Sequence, residues 1–406
     1  MERVDTLIIG GGQAGLAMSE RLSMRGFSHL VIERHRIAER WRAERWDGLH
    51  ANGPAWHDRL PGLEIPNVTP DGFASRDQMV AYFEAYAERI KVPLRCGVTV
   101  TSLTTMPDGS GFRAETSGGV IEAKQVVAAT GPFQRPVVPP MVPAELGIAQ
   151  MHSNAYRNPE QLPPGAVLVV GAGSSGAQIA DELQRAGKQV YLCVGRHERP
   201  PRRYRGKDFC WWLGVLDLWN ATTRGPRSEH VTIAVSGAYG GNTIDFRRLA
   251  ARGVTLLGRA DGVEAGAMRF TNDLARSLAL GDANYLGLLD LADAYAAREG
   301  IELPEEPEAR ILDPDPDCVS NPILQLDLKA AGISQIIWAT GYQLDFSWMQ
   351  IDVFDENGTP RHKRGVSDVP GLYFLGLSWL YRRASAFIFG VPHDAEHLAA
   401  HIAGEG

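Results

Sequence analysis

The sequence is poor in cysteine and has no long apolar run. Four cysteines, Cys96, Cys193, Cys210 and Cys318, are scattered through 406 residues without a C-x-x-C or comparable pair. Neither a zinc or other metal site nor a redox-active dithiol is therefore expected. No stretch approaches the roughly 20 consecutive apolar residues of a membrane-spanning helix, so no membrane partner is expected. A basic excess is missing too: the formal net charge is −7 and the pI is near 5.9, which gives no reason to expect nucleic acid. The first strand pattern already starts at Asp5. A secretory signal does not fit ahead of it, and a cytoplasmic location is expected.

What is present is a doubled pattern. Asp5-Thr-Leu-Ile-Ile-Gly10-Gly-Gly12-Gln13-Ala14-Gly15 runs from a β-branched strand through glycines into a helix carrying Leu16, Met18 and Leu22. Ala166-Val-Leu-Val-Val-Gly171-Ala-Gly173-Ser174-Ser175-Gly176 repeats it, with Ile179, Ala180 and Leu183 on one helix face. In each copy the first glycine permits a tight turn and the second lets a pyrophosphate approach the backbone. The third lets helix and strand pack closely, leaving the helix N-terminus aimed at the phosphate. Gly26 and Gly187 fall where the helix C-caps belong, and short strands follow at Leu30–Glu33 and Gln189–Val194. One such fingerprint is a weak signal, but two in matching contexts are a strong one.

The strand ends differ between the copies. Glu33 closes the second strand of the first unit, where a carboxylate can accept from a ribose diol, as in FAD or NAD. In the second unit the acid gives way to a basic run with Arg196, Arg202 and Arg203. Guanidinium forks there suit a 2′-phosphate, hence NADPH.

Other signals are more local. Ala38 to Pro66 is a long irregular stretch rich in aromatics and prolines, and Trp41 and Trp46 are candidates to flank a flavin ring, with ordinary packing the commoner use of such residues. Ser75 caps a helix running to Ile90. Val98–Leu103 and Phe112–Ile121 read as strands of a meander. Ala129-Thr130-Gly131 and Ala339-Thr340-Gly341 each end a strand in small residues, which lets backbone approach a cofactor closely. A helix is expected from Asp282 to Arg298, a returning strand from Gly371 to Gly376, and a closing helix from Asp394 to Ala403. The whole reads as an α/β fold of two Rossmann-like, three-layer domains, the NADP domain inserted in the FAD domain. The expected boundaries are residues 1–163 for the first part of the FAD domain, 164–332 for the NADP domain with an insertion at about 206–315, and 333–406 for the returning FAD segment.

With both fingerprints and both Ala-Thr-Gly turns in view, the chain resembles the flavin-containing monooxygenases, class B flavoproteins that include the YUCCA-type enzymes. A family motif F-x-G-x-x-x-H-x-x-x-Y is matched at His152 and Tyr156, while Leu146 and Ile148 replace its Phe and Gly. Tyr156 stands where the Baeyer–Villiger subgroup has Trp. The resemblance implies FAD at Gly10, Gly12, Gly15 and Glu33 and NADPH at Gly171, Gly173 and Gly176. It also implies roles near the reaction for Asn52, His152 and Tyr156. The implied activity is insertion of one atom of O2 into a small organic substrate through a C4a-(hydro)peroxyflavin, in a possible homodimer. A reductase or oxidase without oxygen insertion, and a non-enzymatic nucleotide sensor, remain alternatives.

Overall fold

The computed structural model describes residues 2–222 and 232–405. Two sheets organise it, a mixed one with a parallel centre and a wholly parallel one, each built on one glycine-ended strand. Glu2–Ile9 lies inside a nine-stranded sheet, and its second half, from Thr6 to Ile9, is buried, as a central parallel strand requires. His29–Glu33 and Gly119–Ala128 flank it in parallel. Leu94–Cys96 and Leu372–Phe374 lie outside these. The returning strand is thus where the sequence places it. The closing helix, Val391–Ile402, packs on the first fingerprint helix, Gln13–Met24.

The second sheet has five strands in the order Thr255–Leu257, Val190–Cys193, Ala166–Val170, Ile333–Trp338 and Ala149–His152, all parallel. The last two fall outside the expected span of 164–332, so both boundaries move outward. Ile336, Ile337 and Trp338 are fully buried in the second half, and it is this apolar contact that sets where the strand belongs. The chain leaves and re-enters the outer half side by side: Arg135–Pro136 and Tyr342–Gln343 pair antiparallel. Val137 N–H donates to the Gly341 carbonyl at 3.0 Å.

Local chemistry explains most element ends. Ser75 and Gln78 form a reciprocal capping box at the start of Arg76–Arg89, satisfying two otherwise unpaired amides. Gly26 and Gly187 leave their helices at φ +72° and +78°, the left-handed exit that glycine supplies. The expected strand Phe112–Ile121 is instead two, Phe112–Thr116 and Gly119–Ala128, because Gly119 at φ +115° turns the chain back. In the insertion the long helix starts earlier than expected, at Leu274, and ends at Glu299. Ala260–Glu264, Ala267–Phe270 and Gln325–Asp327 form a small antiparallel sheet. Residues 223–231 of the expected insertion lie outside the described residues.

Several histidines are built into these cores in neutral form. Burial lowers the pKa of His29, His152, His197 and His362 below the usual 6.5. A histidine depressed in the fold leaves stability intact above its unfolded pKa, and stability falls as pH drops below it, since only the unfolded chain then takes the proton freely. The thermal midpoint is expected to be level near pH 7–8 and to decline below about pH 6.5. A midpoint unchanged down to about pH 5 would contradict this.

Candidate functional site

The two fingerprints fold in the same way. Gly10 and Gly171 sit at φ +114° and +102°, and a Cβ on either would lie 2.5 Å from the carbonyl oxygen of Ala129 or Ala339. Gly15 and Gly176 are tighter still: a Cβ would lie 1.9 Å from the Gly10 oxygen and 1.8 Å from that of Gly171. The role of the repeated Ala-Thr-Gly follows. Ala129 N–H donates to Ile9 O at 2.9 Å and Ala339 N–H to Val170 O at 2.8 Å, which lays a small-residue strand end against each glycine turn. Gly15 and Gly176 are therefore positions where helix and strand pack too closely for a side chain.

Gly12 is different. Its φ of −80° suits any residue, and a Cβ there would meet nothing within 4 Å. It caps the Gln13–Met24 helix without a side-chain hydrogen bond, so the first-turn amides face open space, an arrangement that attracts anions. Gly173 caps Ser174–Arg185 in the same conformation, also without a side-chain cap. Ser175 is exposed at that terminus, and Ser174 Oγ donates to Ile233 O at 2.6 Å.

A cleft of about 360 Å³ opens in front of Gly12, walled by Gly10, Gln13, Ala14, Glu33, Trp41, Thr130 and Gly131 among others. Gln13 is fixed by donating from Nε2 to Ala386 O at 2.7 Å. The Glu33 carboxylate accepts from Gly11 N–H at 2.9 Å and His35 N–H at 3.0 Å, which holds it at the cleft with lone pairs to spare. Sequence reasoning missed Phe133, Gln134 and Trp348, which also line this space. Gln134 Nε2 donates to Thr130 Oγ1 and Gly131 O, each at 2.8 Å, and so pins the first Ala-Thr-Gly turn. No local pattern marks these residues, because only the fold brings them to the fingerprint.

Several expected residues lie elsewhere. Trp46 is 4% exposed in the second core beside Leu49 and Tyr156. It is the outer half's anchor in the inner one, not a wall of the cleft. Arg202 is 3% exposed and forked onto Asp208, Nε to Oδ2 at 3.0 Å and Nη2 to Oδ1 at 2.5 Å, with Nη1 on Asn52 O at 2.6 Å. It sits between the Phe73 and Phe209 rings. Its fork is filled by protein, so it does not present itself to a 2′-phosphate. Arg203 caps the Gly240 and Gly241 carbonyls at 3.2 Å. Arg196 is exposed and follows the second strand's end.

Asn52, His152 and Tyr156 do not line the cleft; each holds the seam between the halves. Asn52 Oδ1 accepts from Gln178 of the second fingerprint helix at 2.8 Å. His152 Nδ1 accepts from Asn154 N–H at 3.2 Å, leaving Nε2–H to donate to Gly341 O at 3.0 Å. Thr340 Oγ1 donates to Val137 O, tying the same crossing. Tyr156 is fully buried and donates to Glu182 at 2.8 Å, while burial and that carboxylate raise its pKa. The thiols are equally quiet. Cys193 and Cys210 are buried, and burial pushes all four thiols up, the opposite of an activated cysteine.

Comparison with known proteins agrees with this architecture. A family model described as pyridine nucleotide-disulphide oxidoreductase matches residues 7–209. A protein of Geobacillus kaustophilus called "uncharacterized oxidoreductase CzcO-like" is 34% identical over 97% of this chain and 97% of its own. Indole-3-pyruvate monooxygenase YUCCA1 of Oryza sativa subsp. japonica is 36% identical over 46% of this chain and 47% of its own. The solved flavin-containing monooxygenase of Stenotrophomonas maltophilia superposes with a TM-score of 0.68 at 19% identity, over 100% of this chain and 99% of that one.

Proposed function

We propose, from the premise that this chain belongs to the pyridine nucleotide-disulphide oxidoreductase family as a flavin-monooxygenase-like flavoprotein, that it oxidises NADPH through bound FAD and passes one oxygen atom of O2 to a small organic substrate. One observation carries the reading: two uncapped fingerprint helices, of which only the first is backed by an acid. Val194 stands at the place in the second copy that Glu33 holds in the first, so no carboxylate repels a 2′-phosphate there.

The residues fit both groups. The open space over Gly12 is a cradle for a pyrophosphate, held by the amides of the Gln13 turn, and Glu33 would accept from the adenosine ribose. Gly173, Ser174 and Ser175 would hold the second dinucleotide, with Arg196 near its ribose. FAD, when bound, supplies the electron transfer and the oxygen chemistry. The chain's own task is to orient the two dinucleotides and keep water away, and the Trp41, Phe133 and Trp348 side of the cleft suits that. His152 is a positioning residue here: it fixes Gly341 at the crossing between the halves.

The family description includes disulphide chemistry, but the raised, unpaired thiols argue against a dithiol step in this chain. Mixed anaerobically with NADPH, the holoprotein is expected to lose its flavin colour, faster than with NADH. The variant with all four cysteines changed to Ser should do so at a similar rate. With O2 and an accepted substrate, labelled oxygen should appear in the product. If every electron pair ended in hydrogen peroxide whatever organic acceptor was offered, the chain would be an oxidase or reductase instead.

A further inference from the structure

A second cavity, of about 320 Å³, lies where the insertion meets the returning segment. Its walls include Phe209, Leu213 and Leu288, all buried, so most of an occupant would touch hydrocarbon. We infer that it binds a compact, largely apolar organic molecule through one hydrogen-bond-accepting oxygen group at its head. The inference deepens the function proposed above, and it rests on that reading only for the claim that the molecule is the substrate.

The polar side chains at the cavity decide which head group fits. Arg383 pairs through Nη2 with the Glu198 carboxylate and lies 5.8 Å from the Trp219 ring centre. Among the described residues its Nη1 and Nε have no protein partner. Asn284 Oδ1 accepts from Arg199 N–H at 2.9 Å, which fixes the amide with its donating nitrogen unpartnered among the described residues. Three donor atoms on two side chains are thus left over, and the one carboxylate is already engaged. An acceptor satisfies this set, whereas a second cation meets Arg383 without a free counter-charge.

The floor of the cavity points the same way. Gly287 sits in the interior of the Leu274–Glu299 helix, where glycine is unfavourable by about 1 kcal/mol. Gly281 in that helix has a packing reason, since a Cβ would lie 2.3 Å from His197 Nε2. Gly287 has none: its Cβ would meet nothing within 4 Å. What its missing side chain leaves is the open volume of the cavity it lines.

The position is apt. Ile233 in the wall receives the Ser174 hydroxyl through its carbonyl, next to the second fingerprint. Arg383 begins the turn that ends at Ala386, a wall of the first cleft. Two of the cavity's wall residues thus belong to segments that touch the second fingerprint and the first cleft.

The test is calorimetric titration of the holoprotein with phenylacetate and with 2-phenylethylamine, which share a body and differ in head. Phenylacetate is expected to bind with a Kd of about 1 mM or tighter, and about tenfold or more tighter than the amine. Gly287→Phe has open space at its Cβ and the cavity to take its ring, so it should keep or raise the thermal midpoint while weakening phenylacetate about tenfold or more. Arg383→Gln should weaken phenylacetate and, by removing the repelling charge and releasing Glu198, tighten the amine. Failure of phenylacetate to bind, amine binding as tight as phenylacetate, or undiminished phenylacetate binding by folded Gly287→Phe would each overturn the inference. NADPH-driven flavin reduction by the wild-type protein is read separately. If it fails while phenylacetate binds as described, the proposed function falls and the pocket stands.

Discussion

Gly12→Val is expected to purify folded but colourless. The backbone there is extended, at φ −80° and ψ −171°, which valine adopts readily, and nothing lies within 4 Å of the new Cβ. The fold should not register the change. The branched side chain would instead stand where a pyrophosphate must approach the helix amides, removing charge-assisted hydrogen bonds of about 1.5–3 kcal/mol each. Gly15→Ala makes the contrast: its Cβ would press on the Gly10 carbonyl at 1.9 Å, so that variant should fail to fold rather than fail to bind. Visible flavin absorbance and circular dichroism on the two purified proteins separate these outcomes. Stoichiometric flavin in folded Gly12→Val would remove the first fingerprint as its site.

The second large effect is on stability. Arg202→Ala strands the Asp208 carboxylate, which is 9% exposed at its side chain, leaving the Cys210 N–H at 2.9 Å as its one remaining donor among the described residues. Breaking a buried pair from one side costs about 3–5 kcal/mol, and the contacts with Phe73 and Phe209 go with it. The denaturant midpoint should fall accordingly, and adding Asp208→Asn should recover part of the loss. Preference for NADPH over NADH should be unaffected in whatever folded protein remains. A variant of normal stability with selectively weakened NADPH would return Arg202 to the 2′-phosphate role that its sequence neighbourhood suggests.

Arg202 illustrates where a sequence stops being legible. The fingerprints were readable because their chemistry is local: strand, glycine, glycine, helix within about fifteen residues. The Ser75 cap and the Gly26 and Gly187 exits are local too. A run of arginines declares its charge but not its partner, and here the partner is Asp208, reached only because the chain folds Arg203–Tyr204 back on Lys207–Asp208. Trp46 is similar, since a large ring seeks the nearest unfinished core, which proved to be that of the other half. The misplaced boundaries have the same origin. Ala149–His152 shows little apolar pattern of its own and is a strand because Ile333–Trp338 pairs with it. The family motif found His152 and Tyr156, yet the geometry makes them fasteners of the seam. The cavity at Gly287 was invisible, because a helix glycine acquires meaning only from what does not touch it.

The side-by-side crossing at Val137 and Gly341 also sets an order in time. As the chain is synthesised from its first residue, the inserted half has all its sheet strands once Trp338 has emerged. The outer sheet at that moment still lacks Leu372–Phe374, so the Val126–Ala128 end of the Gly119–Ala128 edge stands unpaired and open to foreign strands. The first fingerprint helix also lacks Val391–Ile402 against its face. The half that starts first is therefore the half that finishes last. Its earliest residues must wait, with apolar surface uncovered, for partners made more than three hundred residues later.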